Sequence, residues 1–175
     1  MNKNFGFTLI ELLVAVSLFS LIGGAAVSLL ISGISTQRDS LQKQQLFDQT
    51  SFLGEYISRA LRQAKKELSS GAGACLTTRG INYQIISGRI RFIDKDSKCR
   101  EFFLDDSGSY GILKEDTDVF DVAASTLVNL TSNDLDVEAV GFSLQGANQT
   151  DTIQPRATFS LHVKARGAIP EIFFQ

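Results

Sequence analysis

Gly6-Phe7-Thr8-Leu9-Ile10-Glu11-Leu12-Leu13 opens an apolar run that extends to Ile34 and carries Glu11 as its only charge. Before it stands a short polar leader, Met1 to Gly6, with one cation, Lys3. About 20 apolar residues in a helix cross a hydrocarbon core of about 30 Å, so this run is long enough to span a bilayer. Glu11 is the anomaly. A carboxylate at the centre of such a segment costs about 2.5–3.5 kcal/mol on insertion scales, and an ionisable group there calls for a partner. Cleavage after Gly6 would create one, a cationic amine on Phe7. In a staggered stack of helices, Glu11 of one subunit then faces the Phe7 amine of another, and the pair neutralises both charges.

Gly6 followed by Phe7-Thr8-Leu9-Ile10-Glu11-Leu12-Leu13-Val14 resembles the prepilin signal of type IV pilins and pseudopilins. The resemblance implies cleavage by prepilin peptidase after Gly6, N-methylation of the Phe7 amine, and Glu11 as the assembly glutamate. It also implies other pilin or pseudopilin subunits, an inner-membrane assembly platform and, before assembly, the lipid bilayer as partners. Two other readings of the N-terminus stand beside it. Gly24-Ala25-Ala26 offers small residues to a signal peptidase, but the apolar run continues through Val27 to Ile31 and Glu11 interrupts the region that should be purely apolar. The third reading is an uncleaved anchor.

The chain has 175 residues, enough for one domain with an appendage. Its net charge of −2 gives no reason to expect bulk nucleic-acid binding. One histidine and no tryptophan leave little material for a His-based metal site. We divide the chain into a leader (1–6), a membrane and assembly half of a long helix (7–34), an amphipathic half (35–70) and a β-rich extracytoplasmic head (71–175).

The helix is expected to run from Phe7 to about Leu68. Gly23-Gly24 marks a weak point, because glycine costs about 1 kcal/mol relative to alanine in a helix; the resemblance implies local melting there in a filament, and close helix packing is the alternative. After Ser35 polar residues take over. Leu46, Leu53, Ile57, Ala60, Leu61, Ala64 and Leu68 keep a stripe at helical spacing that needs a surface to cover. Glu55 and Arg59 form an i,i+4 pair. Arg59, Arg62, Lys65 and Lys66 read as a solvated face, and Ser69-Ser70-Gly71 as the stop.

Beyond Gly71-Ala72-Gly73-Ala74 the period shifts towards two. Strands are expected at Ile81–Ile86, Arg89–Asp94, Arg100–Leu104 and Tyr110–Leu113, separated by turns such as Ser87-Gly88. A polar irregular segment follows over Lys114–Ser125. Leu127–Leu130 leads into Val137–Leu144, and Pro155 opens Ala157–Ala165. Ile169-Pro170-Glu171-Ile172-Phe173-Phe174 ends the chain, either on a sheet edge or in a subunit contact. The expected fold is α+β, a long helix packed on an antiparallel sheet. This also resembles the ladle of pilins and pseudopilins.

No catalytic constellation is present in the sequence, and we expect no enzyme. His162 falls on the polar side of its strand and reads as a surface residue. Asp116, Asp118 and Asp121, with Glu115, form an acidic group that is either a solvated loop or a calcium site, though its spacing is not that of an EF-hand. No other cofactor is expected. Asn129 and Asn148 stand in chance-level glycosylation sequons. Cys75 and Cys99 would form a disulfide in an oxidising compartment; two free buried thiols are the alternative.

Within the resembling family, the helix-to-strand layout and Arg59-Ala60-Leu61-Arg62-Gln63-Ala64 look similar to minor subunits of the J or W type. The resulting expectation is a minor pilin or minor pseudopilin of a type IV pilus, a type II secretion pseudopilus or a DNA-uptake pilus. It would sit in the cytoplasmic membrane with its head outside before entering the filament. The alternatives are a tip module that binds DNA or a surface, and a membrane-anchored extracytoplasmic domain of another function.

Overall fold

A computed structural model describes residues 8–71, 73–119, 126–147 and 153–166, and the backbone of 171–174. The chain divides into two compact units, Met1–Gln42 and Lys43–Gln175. One helix, α1 (Leu9–Arg62), opens in the first unit and ends in the second. Eight strands follow: β1 (Tyr83–Ile86), β2 (Arg89–Ile93), β3 (Cys99–Asp105), β4 (Ile112–Asp116), β5 (Leu127–Asn129), β6 (Leu135–Gln145), β7 (Arg156–Ala165) and β8 (Glu171–Phe174). The architecture is α+β.

The strands form two antiparallel sheets, β1-β2-β3-β4-β5 and β6-β7-β8. The first is a meander whose tightest turn carries positive φ at both Ser87 (50°) and Gly88 (77°), the geometry of a two-residue type I′ hairpin. Asp94 builds the next turn, its Oδ1 accepting from the Asp96 and Lys98 amides at 2.8 Å each.

Strand alternation then sets the layers. Ile90, Phe92, Phe102 and Leu113 point to one face and are fully buried. Leu46, Leu53, Ile57 and Leu61 of α1 join them in a single core, with Leu135 and Val137 of β6 and Phe159, Leu161 and Val163 of β7. Fully burying each such side chain contributes about 1.5–3 kcal/mol. Thr50 sits inside the same stripe, and its hydroxyl donates to the Leu46 carbonyl (2.7 Å), which makes its burial tolerable.

The two sheets are tied together at Gly111. Its amide donates to Asp136 Oδ1 (2.9 Å), and its carbonyl accepts from the Val137 amide (3.0 Å). A Cβ here would fall 2.0 Å from the Val137 carbonyl oxygen, so only glycine fits.

The helix ends earlier than the sequence stripe indicates. It stops at Arg62, not near Leu68, and Leu68 is exposed. The reason is tertiary: the Lys65 amide donates to Ile93 O (2.8 Å) and the Glu67 amide to Ile81 O (2.9 Å), so this segment joins the strands. Tyr83 OH and Asn82 Nδ2 donate to the Leu61 and Ala64 carbonyls and satisfy the open end of the helix. Lys65 and Lys66 therefore lie off the helix, and Ser69-Ser70-Gly71 is not its stop.

Three strand expectations also shift. Ile112–Asp116 replaces Tyr110–Leu113, so Lys114 to Asp116 are strand and not irregular chain. Leu127–Asn129 pairs with β4 in the first sheet, while β6 starts at Leu135 in the second. The head is thus two sheets and not one. Of the C-terminal stretch, Glu171–Phe174 pairs with β7 as an edge strand, and residues 167–170 lie outside the described region.

Candidate functional site: a charged mark at the start of an apolar helix

From Leu9 to Ile34 the large apolar residues of α1 are exposed on every side: Leu9, Ile10, Leu12, Leu13, Val14, Phe19, Leu21, Leu29 and Ile31 among them. This is the one helix in the described residues long and apolar enough to cross a membrane, with a mean hydropathy of 2.3 over its best window. Four hydroxyls along it are bonded back to the helix. Ser17 donates to Leu13 O, Ser28 to Gly24 O, and Ser35 and Thr36 to Ser32 O, which removes their donors from an apolar surround. The helix is unbroken through Gly23 and Gly24 in the isolated chain.

The segment's carboxylate sits in the first turn. Thr8 lies just before Leu9, and the Glu11 amide donates to its carbonyl (3.1 Å) and, at 3.4 Å, to its Oγ1. Thr8 is thus the N-cap and Glu11 the third helical residue, the spacing of a capping box. A carboxylate there also favours the helix dipole. Sequence reasoning passed over Thr8, although Thr8-Leu9-Ile10-Glu11 carries the signal. Glu11 is exposed, so its carboxylate is available to a group from another molecule. Gly6 and Phe7 lie outside the described residues.

Residues 1–27 match the prokaryotic N-terminal methylation motif. That motif marks a structural class of protein that is generally not enzymatic, and it supports a type IV pilin-like subunit processed by prepilin peptidase. The motif and the apolar helix together support membrane anchoring. No curated protein and no solved structure gives a significant match to the chain.

The other sequence candidates fall in the second unit. Cys75 and Cys99 are joined in a disulfide with Cα atoms 5.4 Å apart. They form a small separate core with Leu76 and Ile81, against which Ile93 and Val119 pack. Glu67 closes the same loop from its other end, nearly fully buried, accepting from the Ser69 (2.8 Å) and Leu76 (3.1 Å) amides. Burial pushes its carboxyl upward, but these backbone donors outweigh it and hold the pKa below its ordinary value.

Of the acidic group, Glu115 is set apart, while the Asp118 amide donates to Asp116 Oδ1 (3.2 Å). Glu115 is buried, paired with Arg100 (3.0 Å) and accepting from Tyr56 OH (2.7 Å). Asp118 faces Lys98 at 3.7 Å, Asp116 lies on the opposite face of β4 from Glu115, and Asp121 lies outside the described residues. Among the described residues no three acidic, His or Cys side chains gather as a metal site.

Arg100 also meets Asp94 at 2.8 Å, and Tyr56 is raised by burial and by its bond to Glu115. These charges sit where the helix covers the sheet. On the other face, Glu101 is clamped by Arg89 (2.8 Å) and Arg91 (2.6 Å). His162 is less open than its place on the polar face suggests. Its side chain is 18% exposed and Nδ1 lies 3.1 Å from Glu138, which a bulge between Val137 and Ala139 brings to it.

Proposed function

We propose that this chain is the precursor of a type IV pilin-like filament subunit, a minor pilin or minor pseudopilin, whose work is assembly. The observation that carries the reading is the methylation motif running into an apolar helical stretch, Leu9 to Ile34, whose single carboxylate, Glu11, stands exposed in the first turn. Prepilin peptidase cuts after Gly6 and the new Phe7 amine is methylated, which keeps its positive charge. The subunit waits in the cytoplasmic membrane with its head outside. An assembly platform extracts it, and Glu11 pairs with the Phe7 amine of a neighbour. In an apolar bundle each charge alone is costly and the pair is tolerated, so the pairing sets the stagger between subunits. Leu9 to Ile34 supply the filament core. Gly23-Gly24, with no Cβ to pack, is the place where the helix melts if the filament demands it.

The test is the mass and N-terminus of the protein taken from membranes of cells that contain prepilin peptidase. A chain starting at N-methylated Phe7 is expected. A start at Val27 or at Met1 overturns the reading and removes Glu11 from any assembly role.

A further inference from the structure

A groove of about 420 Å³ opens where the last turn of α1 meets β1 and the start of β7. Leu61, Tyr83 and Phe159 line it together with the cations Arg62 and Arg156. The Tyr83 hydroxyl is turned away from a ligand's service, donating to the Leu61 carbonyl at 2.7 Å. The volume lies in the range of pockets that hold a small ligand or a few side chains.

The two guanidinia are the telling feature. Elsewhere in this unit four arginines are matched: Arg59 with Glu55, Arg89 and Arg91 with Glu101, Arg100 with Asp94 and Glu115; Arg166 lies over the Tyr110 ring, and neither it nor Arg79 lines this groove. Among the described residues neither Arg62 nor Arg156 meets a carboxylate, and Arg62 donates only to the Ser58 carbonyl (3.3 Å). Both are exposed and share the groove's lining with Leu61, Tyr83 and Phe159. Guanidinium forks match carboxylates bidentately, and apolar side chains beside them strengthen such contacts by excluding water.

We propose that this groove binds an acidic, apolar peptide segment of a partner protein. Arg62 and Arg156 pair with its carboxylates, and an apolar side chain between them rests on Tyr83 and Phe159. The inference does not depend on how the N-terminus is processed.

The full chain in detergent micelles is titrated against a fluorescein-labelled Glu-Leu-Glu-Phe-Glu-Leu peptide and its Gln-for-Glu counterpart. We expect saturable binding of the acidic peptide, weakened by added salt, and at least about tenfold weaker binding of the neutral one. Arg62→Ala with Arg156→Ala weakens the acidic peptide by about tenfold or more, whereas Arg59→Ala, which removes an equal charge outside the groove, leaves it unchanged. Since Arg62 and Arg156 are exposed and, among the described residues, meet no carboxylate, the double variant is expected to keep the wild-type urea midpoint. Equal binding of the two peptides, or full binding by the double variant, overturns the proposal. So does binding of anionic lipid vesicles with no binding of peptide.

Discussion

Between Leu9 and Ile34 the helix α1 is apolar and exposed all round, whereas from Leu46 to Leu61 it buries one stripe in a core with β2–β4, β6 and β7. One helix therefore answers to two different environments. The first stretch has no internal partner and takes its stability from intrahelical hydrogen bonds and whatever apolar medium surrounds it. The second is held by packing, and its polar side carries Glu55, Arg59 and other charges. The contrast teaches that the apolar residues of α1 before Ile34 are all turned outward, whereas after its midpoint only the stripe Leu46, Leu53, Ile57 and Leu61 is buried in this chain, with Leu41, Phe47 and Phe52 left exposed.

The largest expected effect breaks the first region and spares the second. On the proposed pairing, Glu11→Ala, or the isosteric Glu11→Gln, leaves a neighbour's Phe7 amine unpaired in the apolar bundle. That costs about 2.5–3.5 kcal/mol, or about a hundredfold in incorporation, while head melting stays unchanged. Immunoblots of sheared filaments against membranes check this, and normal incorporation would defeat the charge-pairing mechanism.

The next breaks the second region and spares the first. Gly111→Ala forces a methyl onto the Val137 carbonyl, and we expect a loss of about 3 kcal/mol in urea unfolding of the full chain in micelles. Membrane insertion should be unaffected. Cys75→Ser with Cys99→Ser opens the covalent loop and should lower the same stability by about 3 kcal/mol, as should reduction of the wild type. Equal midpoints with and without reductant would show that the bridge contributes nothing.

Glu67→Gln replaces a carboxylate that accepts from two amides and should cost about 1–3 kcal/mol at neutral pH. The wild-type Glu67 pKa lies below its ordinary 4.5 in the folded state, so its contribution is present above about pH 4.5. It fades as pH falls through the lower folded value. The variant lacks that acid limb, and parallel acid profiles would refute the assignment. Smallest of all, Arg59→Ala removes an exposed i,i+4 pair with Glu55 and should shift stability by no more than about 0.5 kcal/mol.

Legibility followed the range of the forces involved. Strand alternation in β7 placed Phe159, Leu161 and Val163 inside, and Ser87-Gly88 marked its hairpin, because both signals reside in adjacent residues. The stripe Leu46, Leu53, Ile57 and Leu61 was equally readable. The Thr8 N-cap is signalled just as locally, by Glu11 three residues on. The end of α1 was not readable, since Lys65 and Glu67 leave the helix for partners at Ile93 and Ile81, well along the chain. The acidic group also looked continuous in sequence, yet strand alternation in β4 sends Glu115 and Asp116 to opposite faces.

The sequence by itself determined that an apolar, membrane-competent stretch bearing one carboxylate opens a long helix, and that a β-rich part follows. Those are properties of composition and local spacing. Only the tertiary structure decided that the strands form two sheets joined at Gly111, that Glu67 and the disulfide lock one loop, and that Arg62 and Arg156 share a groove. Each of these depends on groups distant in the chain meeting within a few ångströms, which no local pattern encodes.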